Sequence, residues 1–259
     1  MLSVAERHKY ILDHLNKYGF VRITDVANEL GVTKVTIRKD VKILEAKGLL
    51  YKVHGSARSA NPHVADTDVH VKGNINREEK ERIALKALEL LNDNDSILMA
   101  SGSTIYAFAE AIRREFRSHL NVVTTFLKTS VLLNDVEDIN VVQLGGCVHK
   151  KSLSAIGGYA EAALSDFSCS KLFFGVDGID LERGYTVNNK NQIGLYTQLA
   201  RMTRRFYILA DSAKYDRRAF ASVFPPEKTC RMITTSGAPQ KYLDFYARQG
   251  IPCTVLPFE

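Results

Sequence analysis

The sequence predicts an α/β protein in which an N-terminal winged helix-turn-helix is joined to a larger α/β domain with a mostly parallel sheet. Three observations predict it: a helix–turn–helix–strand pattern in residues 21–55, a polar segment in residues 55–76, and an alternation of helices with short apolar strands from residue 77. We therefore expect a winged helix-turn-helix domain at residues 1–57, a linker at 58–76 and a second domain at 77–259.

The N-terminal region contains two predicted helices ahead of the turn. Val4–Tyr18 has apolar residues at helical spacing and is expected to support a shorter helix over Ile23–Leu30. Gly31 should end that shorter helix, because glycine enters a left-handed turn without steric cost. Thr33 should then cap the next helix by accepting a hydrogen bond from a first-turn amide.

The helix that follows Thr33 has one apolar face and one basic face. Ile37, Val41 and Leu44 form a stripe suited to burial, whereas Lys39 and Lys42 point the opposite way. Gly48 should end this helix, and residues 49–53 alternate like a short wing strand with residues 54 and 55 at its tip. A helix of this kind is typical of those that enter a DNA major groove.

The expected DNA contacts come from this helix and the wing. Two side chains, Thr36 and Arg38, lie on the flank expected to face base edges. The others are expected to contact the phosphate backbone, and they are Thr33, Lys34, Lys39, Lys52 and His54. The alternative is an ordinary helical hairpin with solvated charges.

The distribution of charge favours DNA binding. Residues 1–60 contain eleven Lys or Arg and six Asp or Glu, a net charge of +5, whereas the whole chain is +6. The remaining 199 residues are therefore close to neutral. A basic end on a neutral body is what neutralisation of DNA phosphates requires, so double-stranded operator DNA is the expected partner.

Composition excludes several other classes of protein. No apolar run approaches the roughly 18 residues that a membrane span needs, and the N-terminus lacks the pattern of a secretory signal. The four cysteines are widely scattered, without paired Cys or His spacing, so neither a metal site nor a disulfide framework is expected. We expect a cytoplasmic protein without a cofactor or a membrane partner.

From Arg77 onward, helices alternate with short, continuously apolar strands. This alternation predicts a parallel sheet covered by helices on both faces. The predicted strands are Ser96–Ala100, Asn121–Thr125, Asn140–Leu144, Lys171–Val176, Arg205–Ala210, Met232–Thr235 and Thr254–Leu256. In such sheets, ligands bind beyond the carboxyl ends of the strands.

Polar and small residues follow several of these strands. Ser101, Gly102, Ser103 and Thr104 directly open a helix, where hydroxyls, free amides and a close backbone approach suit a phosphate, although Ser and Thr also serve as plain caps. Lys214 should neutralise a phosphate. The alternative is that Lys214 only takes part in a surface ion pair, which would contribute little to stability. We call the carboxyl edge of the sheet, where these residues should collect, the rim. The remaining residues expected on this rim are Thr124, Thr125, Gly145, Gly146 and Asp177.

The motifs TIRKDVKILEAKG, VVQLGGCVHKKSLSAIGGYAEAAL, KLFFGVDGID and ILADSAKYDRRAF resemble the DeoR family of bacterial transcriptional regulators over essentially the full length. The resemblance implies a DNA-binding head and a sugar-phosphate-sensing body related to the ribose-5-phosphate isomerase and glucosamine-6-phosphate deaminase folds. It also implies phosphate binding at Gly102, Ser103 and Thr104, and effector contact at Asp177 and Lys214.

The sequence departs from the family pattern at several positions. Ala100 stands where the family usually has Asp, Thr125-Phe126 replaces a common Asn-Ser, and Ser56 replaces the second Gly of the wing end. Asn191 and Gln192 stand where an acidic residue is common. Amides both donate and accept hydrogen bonds, so either a different ligand or a lost effector response is consistent with these changes.

Three functions remain open at this stage. The first is a transcriptional regulator, in the form of a repressor of a sugar-metabolism operon whose operator affinity changes with a phosphorylated effector. The second is a sugar-phosphate isomerase or deaminase, in which Asp177 or Asp180 would be the base and His149 or Lys214 would assist. The third is architectural DNA binding without a ligand.

We expect the regulator, not the enzyme. A single winged helix reads only a few base pairs, so a homodimer or homotetramer on paired half-sites is expected.

Overall fold

The computed structural model describes residues 2–53, 55–59, 63, 66–116, 118–203 and 205–257, with the backbone alone at Val53 and Ala200. Its N-terminal part, the head, is a three-stranded antiparallel sheet with three helices. In chain order these are α1 (Val4–Tyr18), β1 (Phe20–Arg22), α2 (Ile23–Glu29), α3 (Lys34–Ala46), β2 (Leu50–Val53) and β3 (Ser56–Ser59). The strand order is β1-β3-β2.

The head confirms the predicted helix boundaries and their causes. Thr33 caps α3 by accepting a hydrogen bond from the Thr36 amide, and Gly31 and Gly48 both have positive φ after α2 and α3. Ile37, Val41 and Leu44 lie in the core of the head. The strands β1 and β3 were not predicted, because each has only three or four residues and no apolar run.

The segment predicted as a linker contains regular structure. The strand β3 completes the head sheet, and a short helix, α4 (Val69–Asn74), follows after residues 66–68. Asp68 caps α4 by accepting a hydrogen bond from the His70 amide. At α4, therefore, this segment has regular structure and lies against the second domain.

The C-terminal part, the body, alternates helices and strands as predicted. It begins with α5 (Arg77–Leu88), β4 (Asp95–Met99), α6 (Ser103–Glu115), β5 (Leu120–Thr124), α7 (Leu127–Leu133) and β6 (Ile139–Gln143). A hairpin, β7 (Cys147–His149) and β8 (Ser154–Ile156), leads to α8 (Gly158–Leu164) and β9 (Lys171–Phe174).

The second half of the body adds a small antiparallel sheet to this pattern. Its elements are β10 (Gly178–Asp180), β11 (Gly184–Val187), α9 (Ile193–Met202), β12 (Arg205–Leu209), β13 (Ala221–Phe224), β14 (Arg231–Thr235), α10 (Gln240–Arg248) and β15 (Cys253–Leu256). The strands β10, β11 and β13 form the antiparallel sheet.

Seven strands form one parallel sheet in the order β15-β14-β12-β9-β4-β5-β6, which confirms the predicted fold class. Alternate residues of each strand enter opposite cores, because successive side chains point to opposite faces. Phe173 packs with α5 and α6 on one face, whereas Leu172 and Phe174 pack with α8, α9 and α10 on the other.

Buried polar contacts join the head to the body. Glu79 of α5 forms an ion pair with Arg22 of the head and also accepts hydrogen bonds from the Ser212 amide and hydroxyl, at 2.8 and 3.0 Å. Arg58 of β3 donates to the carbonyl oxygens of Ser212 and Tyr215. The head is therefore fixed to the body loop that follows β12.

Arg217, in the same body loop, reaches the end of the first helix. Its Nη1 donates to the carbonyl oxygen of Tyr18, at 2.5 Å. Gly19 makes this approach possible, because a Cβ there would lie 1.0 Å from Arg217 Nη1, and its φ is +78°.

Replacing Glu79 with Ala should destabilise the protein, because the half-buried Arg22 guanidinium would lose this ion pair and the buried Ser212 amide and hydroxyl would lose their acceptor. We expect a decrease of about 3–5 kcal/mol in the free energy of unfolding, measured by urea denaturation. Glu78→Ala is the matched control: that side chain is 64% exposed and forms a surface ion pair with Arg82, so its removal should cost less than about 0.5 kcal/mol. Equal effects of the two substitutions would contradict this role of Glu79.

Candidate functional site

The direction of strand succession reverses between β4 and β9. From β4 the chain proceeds to β5 and β6 on one side, whereas β9, β12, β14 and β15 follow one another on the other side. Loops leaving two neighbouring strands in opposite directions open a crevice at the carboxyl ends of the strands. A cleft of about 580 Å³, open solvent at its mouth included, lies at this point.

Six of the ten residues predicted to bind an effector line the cleft. They are Ser101, Gly102, Ser103, Thr104, Asp177 and Lys214. Four of them follow β4, Asp177 follows β9 and Lys214 follows β12, so they derive from three adjacent strands.

The start of α6 forms one wall of the cleft. Gly102 is the N-terminal cap residue, has φ +131° and offers no side-chain cap to the helix. A Cβ at this position would have no heavy atom within 4 Å, so a side chain would project into open space. The first amides of a helix lack intrahelical partners, and those of α6 therefore provide donors for an anion.

Three lysines, Lys72, Lys151 and Lys214, give the cleft its positive charge. Lys72 of α4 binds Asp177 through Nζ and Oδ1, at 2.7 Å, and the Asn188 amide donates to the other oxygen of Asp177, at 2.9 Å. Among the hydrogen bonds and ion pairs of the described residues, none involves the Lys214 ammonium. Burial lowers the pKa of Lys214 to about 8, against the opposing effect of Asp211 and Asp177.

Asp177 remains a carboxylate. Burial by itself raises the pKa of Asp177, but the ammonium groups of Lys72 and Lys214 and the hydrogen bonds to Asp177 outweigh burial and lower that pKa below its usual value. Asp180 does not line the cleft. It accepts hydrogen bonds from Arg218 and from the amides of residues 182 and 183.

Several lining residues were not predicted. Lys72 belongs to the predicted linker, and only the position of α4 brings it to the cleft. His149 of the hairpin of β7 and β8, which was predicted only as an assisting group of the alternative enzyme, also lines the cleft. The same hairpin contributes Lys151 and Ser152, and the segment after β11 contributes Asn188 and Asn189. Their signal in the sequence is weak, since they belong to short antiparallel elements.

The two amides noted as departures from the family pattern have different positions. Gln192 is buried, lines the cleft and donates from Nε2 to Ser154 Oγ, at 3.2 Å. Asn191 is exposed and does not line the cleft. Ser101 Oγ lies 3.2 Å from the hydroxyl of Tyr196, a further buried residue of the wall.

Thr124, Thr125, Gly145 and Gly146, which were predicted on the same rim, do not line the cleft. Thr124 Oγ1 donates to the Met99 carbonyl oxygen, at 2.7 Å, and Thr125 is buried where its carbonyl oxygen accepts from the Ala155 amide. Gly145 and Gly146 are exposed in the turn between β6 and β7. Their position at the ends of β5 and β6 therefore does not bring them to the cleft.

The face of α3 predicted to bind DNA is open to solvent. Lys34, Arg38 and Lys39 are exposed, and Thr36 is half-buried with its hydroxyl 2.9 Å from that of Thr33. Lys52 is exposed on β2, with Nζ 3.8 Å from Glu45. His54 lies outside the described residues.

The basic excess of the head is smaller at the surface than its sequence suggests. Arg7 is paired with buried Asp40, with Nε 2.7 Å from Oδ2, and Arg22 and Arg58 face the body. The exposed basic residues of α3 and β2 therefore account for much of the charge available to DNA.

Comparison with known proteins agrees with this division into head and body. Residues 7–63 match the family model described as "DeoR-like helix-turn-helix domain". Residues 75–236 match "DeoR C terminal sensor domain". The chain belongs to the DeoR family. This DeoR-family protein is thus a transcriptional regulator with a DNA-binding head and a sensor body.

Similar proteins cover nearly the whole chain. A putative aga operon transcriptional repressor of Escherichia coli O157:H7 is 28% identical over 254 residues, 96% of this chain and 93% of that protein. A lactose phosphotransferase system repressor of Streptococcus mutans is 32% identical over 234 residues, 88% of this chain and 91% of that protein. Ribose 5-phosphate isomerase A from Neisseria gonorrhoeae aligns over 53% of each chain with TM-score 0.39 and 24% identity.

The described part of this DeoR-family chain has neither a membrane-spanning helix nor a metal-binding cluster. None of its helices is both long and apolar enough to cross a membrane. Its described His, Cys, Asp and Glu residues include no group of three or more that could hold a metal ion.

Gly146→Ala should lower the stability of this regulator without touching the cleft. A Cβ at Gly146 would lie 2.7 Å from the Ile156 carbonyl oxygen, and the φ of +141° is one that alanine rarely adopts. We expect a decrease of roughly 1–3 kcal/mol in the free energy of unfolding, visible as a lower melting temperature. Gly145→Ala is the control, because a Cβ there has no neighbour within 4 Å. Equal melting temperatures for the two variants would contradict a structural role for Gly146.

Proposed function

We propose that this protein is a repressor of a sugar-metabolism operon whose affinity for its operator changes when a phosphorylated sugar binds in the cleft. The observation that supports it best is the Lys214 ammonium, which has no ion-pair partner among the described residues and lines the same cleft as the start of α6. We propose further that the protein acts in the cytoplasm, where operator DNA is accessible.

The phosphate of the ligand would lie at the start of α6. The amides of residues 103 and 104 and the Lys214 ammonium would bind its oxygens, because helix N-termini and cations both favour anions. Gly102 suits this position, since a side chain there would project into space that the phosphate needs.

The sugar hydroxyls would face the opposite wall. Asn188, Asn189 and Gln192 line it with amides, which both donate and accept hydrogen bonds. Asp177 adds an acceptor that stays ionised. A wall of amides supports a ligand whose hydroxyls both donate and accept hydrogen bonds.

Operator DNA would bind the exposed face of α3. Thr36 and Arg38 would read base edges, whereas Thr33, Lys34, Lys39, Lys52 and His54 would contact phosphates. The capped N-terminus of α3 and its exposed basic face support this arrangement.

We also propose that the protein binds its operator as a homodimer or homotetramer. One winged helix reads too few base pairs to select a single operator in a genome. The body exposes large apolar side chains, including Tyr159 at 83%, Val131 at 78% and Phe220 at 75%, that suit contacts between subunits.

An isomerase or deaminase activity is the less supported alternative, and we propose that the protein is not an enzyme. Proton abstraction from a sugar carbon needs a base with a pKa near the working pH. The lowered pKa of Asp177 makes it a weak base, and Asp180 is bound to Arg218 outside the cleft.

Arg38→Ala should weaken operator binding by about 1–3 kcal/mol if the guanidinium binds a guanine. The measurement is a mobility-shift titration with operator and with unrelated DNA of equal length. The loss should be larger for operator, because base contacts carry specificity. Lys228→Ala, an exposed lysine of the body, is the control and should change neither affinity. An unchanged operator affinity in Arg38→Ala would contradict the proposed role of α3.

Affinity for the phosphorylated ligand should fall as the pH rises through the Lys214 pKa of about 8. Only the ammonium attracts an anion, so the dissociation constant should rise by up to about tenfold between pH 7 and pH 9. The measurement is calorimetry with the sugar phosphate that gives the largest thermal shift in a screen.

Two variants control this pH experiment. Lys214→Arg stays charged and should bind with little pH dependence, whereas Lys214→Gln should bind weakly at both pH values. The phosphate would bind elsewhere if the ligand affinity of the wild type did not change with pH, or if the affinity of Lys214→Gln still fell as the pH rises.

A further inference from the structure

A second cavity adjoins the cleft at the junction of head and body. This junction chamber measures about 440 Å³, open solvent included, and its walls come from both parts. Lys17 and Tyr18 of α1 form the head side. The cleft and the chamber share Lys72, Asp177 and Lys214, so the two cavities adjoin along these side chains.

The chamber contains more positive than negative charge. Its described walls contain five basic residues and two carboxylates, a net charge of +3. Each carboxylate already has a basic partner: Lys72 binds Asp177 at 2.7 Å and Lys80 binds Asp211 at 3.2 Å. Three cations are left over, namely Lys17, Lys214 and Arg217.

Arg217 is the most buried of these three cations. Its side chain is 5% exposed, and its Nε has no hydrogen-bond partner among the described residues. Burial lowers the pKa of Arg217 to about 10, so it remains charged at neutral pH. Burying an uncompensated guanidinium is costly, and an anion beside it would offset that cost.

Lys17 differs because it is exposed and belongs to the head. Its Nζ lies 5.0 Å from the centre of the Tyr18 ring, and no ion pair of the described residues involves it. An anion in the chamber would therefore contact a cation of α1 and cations of the body at once.

We propose, on the basis of the function proposed above, that the effector site has two parts: the cleft takes one phosphate and the junction chamber takes a second anionic group of the same ligand. The preferred ligand class is then a phosphorylated sugar with a second anionic group, either a bisphosphate or a phosphorylated sugar acid. Such a ligand connects α1 to the body, whereas a monophosphate occupies the body alone.

Calorimetry on the full chain with two matched pairs of probes tests this inference. One pair is fructose 6-phosphate and fructose 1,6-bisphosphate, and the other is glucose 6-phosphate and 6-phosphogluconate. In at least one pair, the ligand with the second anionic group should bind wild type about tenfold more tightly, as one additional charge-assisted contact predicts.

Lys17→Gln tests where the second anionic group binds. This substitution should reduce the gain in affinity from the second anionic group to about twofold or less, and it should leave the affinity for the monophosphate unchanged. Lys9→Gln, an exposed lysine of the same helix outside the chamber, is the control and should keep the full gain.

The possible results separate this inference from the proposed function. If a monophosphate binds and in neither pair does the ligand with the second anionic group bind more tightly, the two-part site is wrong and the proposed function stands. A gain that survives in Lys17→Gln would place the second group elsewhere and would also overturn the inference. Binding of none of the four probes would contradict both.

Discussion

The reversal of strand order between β4 and β9 is the constraint on which the rest of the structure depends. All seven strands are parallel, so their carboxyl ends share one edge, and only at the reversal do the outgoing loops diverge enough to leave a cleft. The cleft therefore receives the start of α6 from one side, and Asp177 and Lys214 from the other. The residues directly after β5 and β6, such as Thr125 and Gly145, share the edge but not the cleft.

The loop that follows β12 has two roles in the same few residues. Lys214 lines the cleft, whereas Ser212, Tyr215 and Arg217 contact the head through main-chain and guanidinium hydrogen bonds. A ligand that displaces this loop changes the support of the head directly. Thermodynamic linkage then requires that operator DNA changes ligand affinity by the same factor.

Much of this architecture follows from sequence patterns that have a single physical interpretation. The apolar strands, the glycines after α2 and α3 and the cap at Thr33 each have one structural solution, and each was predicted. Apart from the wing strand β2, the short antiparallel strands and α4 were not, because three to six residues of mixed polarity have no distinctive period. Lys72 and the chamber at Lys17 depend on which elements meet in space. Gly146 was misassigned because a glycine required by a neighbouring backbone resembles one that admits a ligand.

Coupling between the cleft and the DNA-binding head is tested most directly by measuring operator binding with fluorescence anisotropy, with and without a sugar phosphate. The sugar phosphate is used at a concentration that saturates the wild-type cleft in calorimetry. We expect the ligand to change the operator dissociation constant of the wild type by about 5- to 150-fold, the usual range of coupling between two sites. In Lys214→Gln the same ligand concentration should leave operator affinity nearly unchanged. An operator affinity that stays constant in the wild type, while calorimetry shows the cleft occupied, would contradict this coupling.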